Sequence, residues 1–131
     1  MAPSKLLTKG MAASPGRATG EIVFHSKDAV LRASTGKSVI LVRVEASAED
    51  VPGMQAASGI VITRGGLTSD AAVVARSLGK PCIADCARIA IDYAADTLTV
   101  WGPSRSKGSD LVLKVGDVIT IDGDLGEIWL G

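Results

Sequence analysis

Three short runs of this chain carry no charged residue at all: Val39-Ile40-Leu41-Val42, Gly59-Ile60-Val61-Ile62 and Cys82-Ile83-Ala84. A strand that is apolar on both faces has to be covered on both faces, which is the situation of strands in a parallel sheet packed between other layers. The runs predict strands over 38–44, 59–63 and 81–84. Ser47-Ala48-Glu49-Asp50 opens a helix over 47–57 that Pro52 breaks, and a second helix is predicted over 69–78. Parallel strands need such crossovers, so the middle of the chain reads as alternating strand and helix.

The two ends read differently. A strand over 6–11 is ended by the turn Ser14-Pro15-Gly16, and another follows over 21–24. Ser26 is placed to cap a helix over 27–33, with Asp28 in its first turn, where negative charge complements the helix dipole. Beyond the third apolar run, 97–101 and 118–121 read as half-buried strands and 127–130 as a closing strand. Asp122-Gly123 and Leu125-Gly126 supply turns between the last two, and the polar stretch 102–110 reads as a mobile surface loop. These elements predict an α/β fold with layers of mixed sheet and helix, in one domain spanning 1–131.

Trp101, Trp129, Tyr93 and Phe24 are the full set of aromatic residues, so the core must be aliphatic. Lys plus Arg and Asp plus Glu both number 14, which leaves no basic excess of the kind that nucleic-acid binders use to displace counterions. No apolar stretch is long enough to span a membrane, and the first ten residues lack the apolar segment and cleavage site of a signal peptide. No nucleic-acid or membrane partner is therefore expected, and a cytoplasmic location is. Cys82 and Cys86 have neither a two-residue redox spacing nor a nearby histidine to complete a zinc set, so they read as free thiols and no metal site is expected.

The chemistry concentrates in residues 59–86, GIVITRGGLTSDAAVVARSLGKPCIADC. Ala71, Val74, Ala75 and Leu78 form one helical face, and Ala72 and Val73 widen it, which predicts a helix buried nearly all round. Gly79 can provide its left-handed C-terminal cap, Arg76 suits its negative end, and Pro81 prevents its continuation. At the other end, Arg64-Gly65-Gly66 lets the backbone turn sharply and present N–H groups, while Thr68 or Ser69 caps the helix. Free amides at the positive end of a helix form an anion pocket, for which phosphate is the usual guest, and Arg64 adds a charge-assisted contact. A plain turn with a capped helix is the alternative reading of the same residues.

This segment resembles the phosphohistidine motif of the PEP-utilising enzymes, most closely that of the pyruvate phosphate dikinases, with phosphoenolpyruvate synthase and enzyme I of the sugar phosphotransferase system as relatives. The family pattern runs Gly-Gly-x-Thr-Ser-His-Ala-Ala-Val-Val-Ala-Arg and then Gly-Lys-Pro-Cys. Gly65, Gly66, Thr68, Ser69, the run from Ala71 to Arg76, and Gly79 to Cys82 match it. The resemblance extends to Ala13-Ser14-Pro15-Gly16, to Leu41-Val42-Arg43-Val44-Glu45 and to the stretch from Gly116-Asp117 to Gly131. It implies a swivelling phosphohistidine domain with β/β/α layers. That domain carries a phosphoryl group between an ATP-grasp nucleotide-binding domain and a barrel domain that handles phosphoenolpyruvate and pyruvate. The full enzyme of the family uses Mg and ATP, no cofactor is implied for this domain itself, and neither partner domain fits within 131 residues.

One position departs from the pattern. The accepting histidine falls on position 70, which is Asp. A neutral imidazole is nucleophilic near neutral pH and a good phosphoryl donor once phosphorylated. The chain's one histidine, His25, lies in a different part of the sequence and reads as a turn histidine. Acyl phosphates on aspartate usually need a metal held by further carboxylates, and only Asp85 lies near in sequence. An acidic residue in the first turn of a helix is sufficiently explained by the dipole, at about 0.3–1 kcal/mol. The resemblance also puts Thr68 where plant-type dikinases carry a regulatory phosphorylation, but that regulation is coupled to the histidine, and a helix-capping hydroxyl is the favoured reading of Thr68. Three readings follow: a carrier domain silenced at Asp70, a non-catalytic module that binds an ATP-grasp or barrel partner, and a carrier that uses an aspartyl phosphate at Asp70.

Overall fold

The computed structural model describes residues 5–66, 69–101 and 111–131. Strands β1 (Lys5–Lys9), β2 (Met11–Ser14) and β3 (Arg17–Val23) lead into helix α1 (Ser26–Ser34) and strand β4 (Val39–Arg43). A 3-10 turn (Ala48–Asp50) runs directly into α2 (Val51–Ala56), followed by β5 (Gly59–Ile62), α3 (Asp70–Leu78) and β6 (Cys82–Ala84). The chain then forms β7 (Ile89–Asp92), β8 (Thr97–Val100), β9 (Leu111–Lys114), β10 (Val118–Asp122) and β11 (Glu127–Leu130).

The main sheet has the order β1-β11-β10-β3-β4-β5-β6-β2, and β7, β8 and β9 form a separate antiparallel sheet. Strands β3, β4, β5 and β6 are parallel, as the apolar runs predict, and the remaining pairs of the main sheet are antiparallel. The two edge strands, β1 and β2, are separated by Gly10 alone, so one length of chain closes the sheet on itself. Each half of that length is paired on one side, β1 with β11 and β2 with β6. The predicted single strand over 6–11 is thus two strands. The Gly10 N–H donates to the Gly126 carbonyl at 2.8 Å. A Cβ at residue 10 would lie 2.6 Å from the Ala84 carbonyl oxygen, so only glycine fits the corner.

The alternation of each parallel strand divides the core in two. Val39, Leu41, Ile60, Ile62, Cys82 and Ala84 face Ala29, Met54, Ala71, Ala72 and Ala75 of the three helices. Ile40, Val42, Val61 and Ile83 face the other way, onto Ile89, Leu98, Val100 and Leu113 of the small sheet and Ile119, Ile121 and Ile128. The result is the expected α/β architecture with β/β/α layers, in which the main sheet is mixed and the small one antiparallel.

Several expectations need correction. His25, not Ser26, is the N-cap of α1 and makes no side-chain cap bond; the Ser26 hydroxyl instead accepts from the Gly53 N–H at 2.8 Å. Pro52 does not break a helix but stands in the first turn of α2, where no N–H is needed. Strand β10 is buried through Ile119, Thr120 and Ile121 rather than half-buried: Ile119 and Ile121 pack into the core with the small sheet, and the Thr120 hydroxyl is hydrogen-bonded to Thr19 Oγ1 and the Gly131 carbonyl. Helix α3 is not buried nearly all round: Asp70, Val73, Arg76 and Ser77 are exposed, Val73 by 50%. The predicted loop over 102–110 lies outside the described residues.

Candidate functional site

Beyond the end of β5 the backbone stays paired with the end of β4. The Thr63 N–H donates to the Arg43 carbonyl and the Arg64 N–H to the Val44 carbonyl, both at 3.0 Å. The chain then turns at Gly65, whose φ of +92° lies in the left-handed region that favours glycine. The Gly66 carbonyl accepts from the Ser69 N–H at 3.1 Å, which draws the turn under the helix. Ser69 is the N-cap of α3, its hydroxyl accepting from the Ala72 N–H at 3.3 Å. Thr68, the other predicted cap and the place of the family's regulatory phosphorylation, lies outside the described residues. Gly79 ends the helix at φ +69° as expected.

Arg64, Gly65, Ser69 and Asp70 line one cavity of about 170 Å³, together with Glu45, Ala46, Ile62 and Ala71. Gly66 belongs to the turn but does not line the cavity. Asp70 is the first helical residue and is exposed. By helix geometry the amides of Asp70 and Ala71 have no acceptor within the helix. The Arg64 guanidinium lies 3.7 Å from the Glu45 carboxylate, with side chains 74% and 65% exposed. Such a pair contributes about 0–1 kcal/mol and holds neither partner firmly. Glu45 has no local sequence signal that would assign it to the site; the parallel pairing of Arg43 with Ile62 is what brings it beside Arg64. Among the described residues the lining therefore carries two carboxylates, Glu45 and Asp70, against one cation, Arg64. This charge balance opposes an incoming phosphate.

A second, mainly apolar cavity of about 290 Å³ adjoins the first and shares Ala46, Asp70 and Ala71 with it. Ala48, Val51, Met54, Val73 and Val74 complete most of its wall. His25 lines neither cavity; its side chain is 42% exposed and its Nε2 lies 3.5 Å from Asp96 Oδ1. Asp85 is exposed beyond the end of β6. Among the described residues no group of three His, Cys, Asp or Glu side chains is placed to hold a metal ion. Cys82 and Cys86 are free and buried, and burial pushes each thiol up to about 12. Neither serves as a nucleophile near neutral pH, since the thiolate is the reactive form. No helix among the described residues is long and apolar enough to cross a membrane.

Residues 35–126 match the family model of the PEP-utilising enzyme, mobile domain. The chain is 48% identical over 126 residues to the pyruvate, phosphate dikinase of Rhizobium meliloti (strain 1021), covering 96% of this chain and 13% of that protein. It is 46% identical over 127 residues to pyruvate, phosphate dikinase 1, chloroplastic, of Arabidopsis thaliana, covering 97% of this chain and 12% of that one. The chain thus spans about an eighth of the length of these relatives. A solution structure of an Enzyme I protein aligns with 72% of this chain and 31% of its own, at a TM-score of 0.45 and 22% identity. With the motif on a capped helix, the match across most of its length and near-half identity to dikinases, the chain belongs to the PEP-utilising enzyme mobile-domain family.

Proposed function

We propose that this chain is the swivelling phosphoryl-carrier domain of a pyruvate phosphate dikinase-like phosphotransferase, silenced as a carrier because Asp70 stands where the family has its accepting histidine. The observation that carries the reading is the survival of the rest of the site around that position. Arg64, Gly65, Ser69 and residue 70 line one cavity at the positive end of a capped helix. In an active relative this arrangement would hold the phosphoryl oxygens against backbone amides and Arg64 while the imidazole took the phosphorus. A carboxylate at residue 70 places negative charge where those oxygens would sit, beside Glu45, and removes the nitrogen nucleophile.

The proposed partners are an ATP-grasp nucleotide-binding domain and a barrel domain that handles phosphoenolpyruvate and pyruvate. The Mg and ATP of the full enzyme would be held there, since no carboxylate cluster among the described residues of this chain suits a metal. The same fact weighs against an aspartyl phosphate, which usually needs such a metal to offset charge. A second reading, a non-catalytic module that docks a partner, draws on the apolar cavity that adjoins Asp70.

The test is to incubate the chain and its Asp70→His variant with a dikinase barrel domain and labelled phosphoenolpyruvate. Acid-labile label on the variant alone is the expected outcome. Hydroxylamine-sensitive label on the unmodified chain would make Asp70 a working acceptor and overturn the proposal. Label on neither would mean that the site has decayed beyond residue 70, and stable capture of the barrel or an ATP-grasp domain would then favour the docking module.

A further inference from the structure

His25, Val44 and Arg64 follow the carboxyl ends of β3, β4 and β5, which run parallel, so all three stand at the same end of the sheet. A side chain of the small sheet reaches into this end. Tyr93 follows β7, and its hydroxyl accepts from the Val44 N–H at 2.7 Å. The Val44 carbonyl in turn accepts from the Arg64 N–H at 3.0 Å. Two consecutive hydrogen bonds thus join the Tyr93 phenol to the residue that precedes the positive-φ Gly65.

The ring that carries this hydroxyl is held in place. The Arg43 guanidinium lies 4.7 Å from its centroid, a distance suited to cation–π attraction, and the His25 ring lies 5.6 Å away. Arg43 is itself anchored, donating through Nη1 to the Phe24 carbonyl at 2.8 Å, with Nε 3.7 Å from Asp50 Oδ2. The turn after β7 also has a residue in the left-handed region, Asp96 at φ +54°, whose carbonyl accepts from the Val115 N–H at 3.2 Å. A non-glycine residue persists there only where its surroundings hold it. Val44 needs such support because it lies beyond the register of β3 with β4, which ends at Leu41. With no strand on that side, its half-buried amide takes the Tyr93 oxygen as acceptor.

We propose that Tyr93 is a positioning residue for the Arg64-Gly65-Gly66 turn. Its hydroxyl fixes the Val44 amide at the bend that follows β4, and the Val44 carbonyl then sets where the turn departs from the sheet and how its amides face the cavity. This inference rests on reading the turn as the phosphoryl site, and two separate measurements keep the failure of each apart.

The first measurement is amide exchange and chemical shift on the isotope-labelled chain and its Tyr93→Phe variant, which keeps the ring and removes only the oxygen. Protection at Val44 and Arg64 should fall about tenfold, the ratio for losing one ordinary hydrogen bond. The Gly65 amide should shift, with β10 and β11 unchanged. Unaltered Val44, Arg64 and Gly65, or an equal loss of protection throughout the sheet, would overturn the inference. The second measurement compares labelling from phosphoenolpyruvate in Asp70→His and in Asp70→His with Tyr93→Phe. The added change should lower the maximal rate several-fold and leave the half-saturating concentration of the barrel domain unaltered; equal rates would overturn the inference. Absence of label on Asp70→His itself would refute the phosphoryl reading, and the amide measurement would still decide whether Tyr93 positions the turn.

Discussion

A Cβ atom on Gly65 would lie 3.0 Å from the Cβ of Ser69, on a backbone already at φ +92°. The turn that starts the site thus runs close against the residue that caps its helix, leaving room for a glycine but little for a side chain. Gly65→Ala should cost roughly 1–2 kcal/mol from the left-handed backbone alone, with the contact adding to it. Ser69→Ala should cost about 1 kcal/mol through loss of the cap, and Ser69→Gly only a few tenths. Thermal or urea unfolding of the three variants gives these values directly. In the Asp70→His background, Gly65→Ala should also reduce labelling, because it displaces the amides that face the phosphate.

Helix α3 is tied down at its other end by Arg76, whose Nη1 donates to the Ala13 carbonyl at 2.8 Å. Arg76→Met keeps the aliphatic stem and removes the donor. For a partly solvated pair of this kind the expected loss is about 1 kcal/mol, which lowers the melting temperature by a few degrees in a chain of this size. An unchanged melting curve would mean that solvent satisfies Ala13 equally well.

Cys82 and Cys86 lie on opposite sides of the main sheet's core, and burial raises both thiols from 9.0 to about 12. Native protein should therefore resist thiol reagents at pH 8, whereas both residues should react at once in denaturant. The linkage has a definite sign. Between pH 9 and 12 the unfolded chain releases thiol protons that the folded chain retains, so stability should fall as pH rises through that window. Replacing both cysteines by alanine should flatten the decline, which unfolding measured at pH 8, 9.5 and 11 would reveal.

Gly10 forms the corner that closes the sheet. In Gly10→Ala the new methyl would meet the Ala84 carbonyl at 2.6 Å and the Cys86 sulfur at 2.7 Å, two groups with little room to retreat. A loss of about 2 kcal/mol or more is expected. Gly36→Ala is the control: its φ of +88° is also unfavourable, yet nothing lies within 4 Å of the added atom. It should lose only the backbone term, and equal losses in the two variants would refute steric closure at residue 10.

Much of the fold was legible because the short apolar runs at 39–42, 59–62 and 82–84 fit strands covered on both faces. The capping of α3 was equally legible, since Ser69 and Gly79 act through their own local chemistry. The small sheet was not. Strand β8 was expected, but β7 and β9 become recognisable as strands only through pairing with it, and pairing is not a local property. Strand β10 looked half-buried for the same reason, its second covered face coming from distant parts of the chain.

By itself the sequence determined the parallel centre of the sheet, the Gly-rich turn, the capped helix and the presence of Asp70 at its first position. All of these follow from side-chain periodicity, backbone freedom and charge within a dozen residues of one another. The tertiary structure alone decided that the chain from Lys5 to Ser14 closes the sheet, that Glu45 shares the cavity with Asp70, and that Tyr93 reaches Val44. These relationships join residues tens of positions apart, and the parallel register and the layering of the two sheets are what bring them within a few ångströms.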